Sequence, residues 1–481
     1  MLQDFLDPKK KRSSVIRLYI GYGLMTILIV TGAVVLLYAA FGYGVHKDGE
    51  VYQNSTVFLA SEPSGADASI KNNSTGEVKS VTTNDRLTLP QGDYKVDFTK
   101  SGYRPWVKSV ELRGGQISRL DYAFLFPKRL IAKDIAKYSL KPGLITTSPD
   151  RSKQLIQKPN SSLQFDLFDN NNLAKPPILI ELSNKLFSGL ATSSEIKLVE
   201  WSNDNRHVLL SYRTRSGNKF VLIDTKSPEN SININTKYTK NFISVRLRDK
   251  SPDNLYLLSS DGTLKTGSLK NATLQKVLSN VGQFQPYKND LILFINNKGI
   301  QTKTKSVKAQ LWDSGKGLIT IKELPQSNKY FIDLADYDGD LYVAVGASSG
   351  RDEMYVFRDP FSSAEQKGDP AYFARTLRLE DIQQLSFSIN ARFICTQSGS
   401  SFDIYDAEDD RQYKFSLDKK YTDVDSHKWM DGHRLIVNSI GNVVEFDFDG
   451  TNVNELTKSI NNEATSFNGD YSAMSAIAPA T

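Results

Sequence analysis

Several stretches of this sequence place residue types at spacings that could do chemistry. Gly346, Ser348 and Gly350 fit the G-x-S-x-G pattern of a nucleophilic serine. That pattern works where a strand turns sharply into a helix and leaves the hydroxyl exposed above a sheet. Here Leu341 to Val345 reads as one strand and Met354 to Phe357 as another, so the pattern reads as a hairpin loop. Asp336, Asp338 and Asp340 suggest a calcium loop, which requires Gly at its sixth position and Glu at its twelfth. Counted from Asp336, Gly339 is fourth and Ala347 twelfth, so a turn between strands fits better. The same holds for Asp447, Asp449 and Gly450. The histidines, His46, His207, His427 and His433, show no metal-ligand spacing with each other or with the single cysteine, Cys395. A glycosidase needs two carboxylates about 5–10 Å apart, and distant segments can supply them without leaving a linear trace. The expectation is that no residue is catalytic, cofactor-binding or metal-binding.

What positions these residues is a long, mainly soluble chain. Its 481 residues exceed one ordinary domain. Tyr and Phe number 22 and 24, a bias that favours strands. One cysteine excludes an intrachain disulfide, although a large core does not need one outside the cytoplasm. The net charge is +6, and half of it lies in residues 1–17, where Lys9, Lys10, Lys11, Arg12 and Arg17 outweigh Asp4 and Asp7. The remainder has no concentrated basic face, so nucleic acid is not expected as a partner.

From Leu18 to Val45 no residue is charged. A helix of that length exceeds the roughly 30 Å of a bilayer's hydrocarbon core. Tyr19, Tyr22, Tyr38 and Tyr43 flank its apolar centre as interfacial aromatics do. A cleaved signal peptide would have a shorter apolar region and a better small-residue site than Tyr38-Ala-Ala-Phe41. The reading is an uncleaved transmembrane helix at 18–45 after a basic leader at 1–17. The basic residues before the span, against His46, Lys47, Asp48 and Glu50 after it, place the N-terminus in the cytoplasm and the bulk outside.

Next comes a run of short strands and tight turns. Thr56 to Leu59, Asp67 to Ile70, Leu87 to Leu89, Tyr94 to Phe98, Trp106 to Leu112 and Ile117 to Phe124 read as about six strands. Pro63 with Gly65, Gly76, Gly92 and Gly102 mark the turns. Ser61, Pro63, Gly65 and Ala66, then Leu89, Pro90, Gly92, Tyr94 and Val96, then Gly102, Tyr103 and Trp106 resemble the PEGA domain family over about 70 residues. The sequence departs at Ser64, where the family name has Glu, and at residues 76–79, where Gly-x-Thr-Pro is usual. The resemblance implies a small β-sandwich at 56–127, a non-catalytic module of bacterial and archaeal envelope proteins often found beside a membrane anchor.

Residues 128–481 repeat a turn followed by an apolar strand. The turns begin at Ser148, Ser202, Ser251, Lys288, Asp338, Ser388, Asp431 and Asn468. A later strand ends in Asp at 169, 224, 359, 406 and 449, with consecutive spacings of 55, 47 and 43. A repeat of about 40–45 residues with four strands is a propeller blade. The Ser-Pro-Asp turns resemble TolB-like and WD40-like propeller repeats. Seven or eight blades are expected. Because strand edges must be covered, Arg129 to Ile135 is expected to complete an eighth sheet.

The expected fold is therefore all-β: one N-terminal transmembrane helix, a small PEGA-like sandwich, then a seven- or eight-bladed β-propeller. The expected function is a membrane-anchored cell-envelope protein whose propeller is an interaction platform. Its partners are the lipid bilayer through residues 18–45 and an envelope protein or polysaccharide. The alternative is an extracytoplasmic propeller enzyme acting on glycans or peptides.

Overall fold

The structure is a computed structural model that describes residues 8–45, 49–190, 196–296, 306–348, 351–365 and 373–479. It divides into two compact units, Met1–Ile131 and Ala132–Thr481. The first begins with a helix, Pro8–Ala40. Its stretch Val15–Ala40 has mean hydropathy 2.3, is long enough to cross a membrane, and has no buried residue. The uncharged run continues to Val45, but the helix does not. Gly42 adopts φ +79°, a left-handed conformation that ends the helix, and Tyr43–Val45 is a strand. Residues 41–45 of the expected span are thus not helical. Asp4, Asp7, His46, Lys47 and Asp48, used for the charge step, lie outside the described residues.

The rest of this unit is a β-sandwich of strands β1 (Tyr43–Val45), β2 (Val51–Glu62), β3 (Asp67–Asn72), β4 (Val78–Thr82), β5 (Asp85–Pro90), β6 (Gly92–Thr99), β7 (Trp106–Leu112) and β8 (Ile117–Phe124). In one sheet β2 pairs antiparallel with β1 and β5 and parallel with β8. The other has the order β4-β3-β6-β7. Alternate residues meet in between: Val57 and Leu59 of β2, Ala68 and Ile70 of β3, Tyr94, Val96 and Phe98 of β6. Trp106 is fully buried there, edge-on to Phe98 at 5.2 Å and to Tyr122 at 5.6 Å. The sequence pattern misses β4, an exposed edge strand with no buried face to impose alternation.

Among the described residues the second unit contains seven four-stranded sheets, at 145–181, 197–233, 244–278, 281–325, 330–380, 384–416 and 428–458. Each is an antiparallel meander whose strands lie in chain order. These are the blades of a β-propeller, numbered 1 to 7. Their middle strands are apolar on both sides. Val208 and Leu210 of blade 2 pack on Leu155 and Phe165 of blade 1, while Leu209 between them packs towards Val245 and Leu255 of blade 3. Leu293 and Ile295 of blade 4 meet Val343 and Val345 of blade 5, while Ile292 and Phe294 meet Tyr256 of blade 3. Tyr342 and Val356 join blade 5 to Ile394 and Tyr405 of blade 6. Aromatic rings join blades 6 and 7, with Phe393 stacked on Phe448 at 4.2 Å and Phe402 edge-on to Phe446 at 5.1 Å.

The aspartates that end the third strands have two tasks. Asp224 pairs with Arg206 and accepts the N–H groups of Lys226 and Ser227 at 3.0 Å. Asp406 pairs with Arg392 and accepts the N–H of Glu408 at 3.0 Å. One carboxylate thus caps its own turn and ties it to the turn before the second strand. In blade 7 the strand ends at Asp447 rather than Asp449.

An eighth, two-stranded sheet, Ser466–Phe467 with Met474–Ser475, lies between blades 7 and 1. Ala464, Ile460 and Ile477 pack with Ile145, Ile156 and Phe168 of blade 1. Asn170 donates to Ser466 Oγ at 3.3 Å, and Ser475 donates to Gln154 at 3.2 Å. On the other side Asn462 is buried. Its N–H donates to Asp425 at 2.7 Å, and its side-chain amide donates to Ser426 O and Ile436 O at 2.9 and 3.0 Å. Residues 129–140 do not complete this sheet. They form no strand, and Ile131 is 93% exposed. Without alternating burial nothing drives them into a ladder; instead Tyr138 packs on the seam cluster and donates to Asp166 at 2.9 Å.

Replacing Asn462 with Ala keeps the backbone N–H to Asp425 but leaves the Ser426 and Ile436 carbonyls without the side-chain amide, and should cost about 1–3 kcal/mol in a denaturant titration. Deleting residues 463–481 should lower the melting temperature of the second unit by several degrees. An unchanged melting curve would show that the hairpin is not part of the ring.

Candidate functional site

The first strand of each blade faces the centre of the ring. A cavity of about 720 Å³ opens there between blades 1, 2, 6 and 7 and the closing hairpin, a size typical of ligand pockets. Ile145, Ile196, Leu198, Ile389, Met430 and Phe467 give it apolar walls, and Thr146, Ser148, Thr465 and Ser466 add hydroxyls. Its charged groups are Arg151, Lys197 and Lys428 against Glu463, the one carboxylate among the described lining residues. Two indoles brace the wall in the same way. Trp201 of blade 2 donates to Thr146 of blade 1 at 2.8 Å, and Trp429 of blade 7 donates to Ser386 of blade 6 at 3.0 Å. Arg151 donates to Met430 O and lies 4.6 Å above the ring of Tyr471. Lys428 donates to Asn462 O at 3.0 Å; burial lowers its pKa to about 8, against the pull of Glu463 and Asp425.

Around blades 2 to 5 the channel has a polar belt. Glu200 of blade 2 accepts the N–H of Leu247 at 2.6 Å and pairs with Lys250 of blade 3. Arg246 of blade 3 donates to Gln285 of blade 4 at 2.9 Å. Asp333 of blade 5 is raised to about 6 by burial, which outweighs the N–H of Leu334 and the nearby charges of Arg246 and Lys250.

One buried arrangement has the components of a nucleophile and base. Ser386 Oγ lies 2.6 Å from His427 Nε2, and His427 Nδ1 lies 2.8 Å from Gln397 Oε1. The Gln397 amide nitrogen donates to Gly399 O and Asp425 O, so its oxygen must accept from His427. The imidazole therefore carries its proton on Nδ1 and accepts from Ser386 at Nε2. However, among the described residues no carboxylate bonds the imidazole, burial depresses the histidine to about 3, and Ser386 Oγ already receives the Trp429 N–H. This is a directed hydrogen-bond chain between blades 6 and 7 rather than a reacting constellation. Sequence reasoning missed it, because Ser386 is 41 residues from His427 and Gln397 is 30 residues from it.

The other candidates sit in strands, turns and ion pairs. Gly346 lies within strand Asp340–Ala347, paired with Met354, Ser348 follows that strand before Arg351–Arg358 begins, and Ser349 and Gly350 lie outside the described residues. Asp338 and Gly339 form a tight turn with positive φ at both residues. Asp340 pairs with Arg358 and Asp336 with Lys288. His207 is held by Asp204 at 2.6 Å.

In the first unit, the turn at residues 62–66 is held from inside. Ser61 Oγ donates to Pro63 O at 2.9 Å and lies 2.8 Å from Thr83 Oγ1, which accepts the N–H of Ala66 at 3.0 Å. Gly65 takes φ +74°, and Ala66 is fully buried. Lys100 caps the turn from outside by donating to Gly65 O at 3.2 Å. The residues that do this are the spaced Ser, Pro, Gly and Ala of the sequence motif. Residues 54–125 are a PEGA domain. The matched range starts and ends two residues before the expected 56–127. Position 64 contributes only its backbone carbonyl, accepting from Lys100, so Ser there in place of Glu leaves the turn intact.

No curated protein matched the chain by sequence. Solved structures with similar folds include Kluyvelomyces marxianus Hsv2, at 13% identity and TM-score 0.40, covering 64% of this chain and 93% of that one. Dihydro-heme d1 dehydrogenase NirN is similar at 12% identity and TM-score 0.43, covering 83% and 74%. The C-terminal WD40 domain of Sif2 is similar at 11% identity and TM-score 0.42, covering 81% and 94%.

The His427 chain generates a pH prediction. Its folded pKa lies below the unfolded value of 6.5, so its contribution is present above pH 6.5 and is lost as pH falls towards about 3. In that window the unfolded histidine binds a proton that the folded one does not, costing about 1.4 kcal/mol per pH unit. His427→Gln should therefore show a shallower loss of stability between pH 6.5 and 4 than the native chain in urea titrations. Parallel slopes would show that His427 is not buried neutral.

Proposed function

We propose that this chain is a membrane-anchored, non-catalytic binding platform whose propeller works outside the cytoplasm. The carrying observation is the braced channel cavity, with its apolar walls and three cationic side chains against one carboxylate. Two Trp straps, the Asn462 clamp and the ring closure hold its shape before any partner arrives, which lowers the ordering cost of binding. The partner class that fits is an envelope protein segment or polysaccharide carrying acidic groups. The helix Val15–Ala40 supplies the anchor, and Lys9, Lys10, Lys11, Arg12 and Arg17 favour a cytoplasmic N-terminus. The reading as an enzyme on glycans or peptides would need a second carboxylate opposite Glu463.

Protease added to intact cells should remove both the PEGA domain and the propeller and leave a short membrane-held fragment. Full protection of the chain would sink the topology. A photo-crosslinking residue at Ile389, on the cavity rim, should give a discrete adduct that is lost when Lys197 and Lys428 are both changed to Glu. Turnover of any glycoside or peptide by the purified full chain, abolished by Glu463→Gln, would overturn the non-catalytic reading.

A further inference from the structure

The interior face of β2 runs further than the sandwich that covers it. Ser55, Val57, Leu59 and Ser61 point inward and are buried. The same row continues back through Gln53 and Val51, because side chains alternate along a strand. It then crosses to β1, where Tyr43 pairs with Gln53 and Val45 with Val51, and directly paired residues share a face. Here the burial stops: Val45 is 67% exposed, Val51 60% and the neighbouring Phe41 63%. The opposite face of the hairpin is closed. The Tyr52 ring lies so near Gly44 that a Cβ there would meet it at 2.5 Å.

This open apolar face is joined directly to the helix. Two residues separate Ala40 from Tyr43, and β2 bonds back to them: Asn54 N–H donates to Gly42 O at 2.8 Å and Gln53 to Phe41 O at 3.1 Å. The rings of Tyr38 and Tyr43 are 5.2 Å apart. The helix also fixes a depth. Counting about 20 residues from Leu18, just past Arg17, fills a hydrocarbon core and ends near Leu37. Tyr38, Phe41, Tyr43 and Val45 then fall at the level of the lipid headgroups, where amphipathic aromatics gather.

We propose that residues 43–45 and 51–53, with Phe41, form a seat that lies in the headgroup layer, so that the bilayer completes the open end of the sandwich and holds the PEGA domain against the membrane. This rests on the reading of Val15–Ala40 as a membrane span. The occupant is the lipid surface itself. The face formed by Phe41, Tyr43, Val45, Val51 and Gln53 bears no charge, so burial of apolar surface drives the contact and neutral lipid suffices.

Single-cysteine labelling of the full chain in phosphatidylcholine vesicles tests this, because the native Cys395 is fully buried. An environment-sensitive fluorophore is placed at Val45→Cys or Val51→Cys, with Leu28→Cys in the helix and Val78→Cys on exposed β4 as references. Labels at 45 and 51 should be quenched by lipid carrying a shallow spin label. They should also be several-fold less accessible to aqueous iodide than the label at 78, with no change at high salt. If the label at 28 is quenched by deep spin labels while 45 and 51 are as open to iodide as 78, the seat is wrong and the span stands. If 28 is not quenched, the span fails and the seat with it. Loss of shielding in high salt would overturn the apolar contact.

Discussion

A blade of this propeller cannot exist alone. Its middle strands are apolar on both faces, so both faces would meet water unless a neighbour stood on each side. Leu209 and its flanking residues, Val208 and Leu210, state the constraint in three positions: consecutive side chains belong to different interblade cores. The only arrangement that serves every sheet is a closed one. The ring, the channel at its centre and the cavity in that channel all follow from it.

Closure in this ring rests on side chains at one seam. Each four-stranded sheet is a continuous meander, and among the described residues none borrows a strand from the other end of the chain. The seam is instead filled by a hairpin two residues wide on each side, held by side chains: Asn462 towards blade 7, and Ala464, Ile460 and Ile477 towards blade 1. The cavity is bounded by the same hairpin, through Glu463, Thr465, Ser466 and Phe467. The element that closes the fold therefore also shapes its most concave surface.

Much of this architecture is legible in the sequence, for a local reason. A turn between antiparallel strands demands particular residues within four or five positions, so Ser148, Ser202, Ser251, Lys288, Asp338, Ser388, Asp431 and Asn468 mark all eight first hairpins. The PEGA motif is legible for the same reason, since Ser61, Pro63, Gly65 and Ala66 act within one turn. Strands without a buried face are not legible, and β4 is missed on that account. The helix end at Ala40 is hidden because Phe41 to Val45 are as apolar as a membrane span while serving as hairpin. The site is less legible than the fold. Charges and apolar residues of the cavity come from five separate blades or turns, and the link from Ser386 to Gln397 through His427 has no linear signature.

The pairing of Arg151 with Met430 O joins backbone neighbourhoods 279 residues apart. Chain entropy makes such a loop only modestly dearer than a short one, because the cost grows with the logarithm of length. Time is affected more, since contacts between distant residues slow a folding search. Until residues near 430 and 460–477 have been made and have docked, blade 1 keeps one apolar face unpaired. A growing chain would carry that sticky surface through most of its synthesis. The seam therefore sets the period during which this protein is most exposed to aggregation and to the chaperones that guard against it.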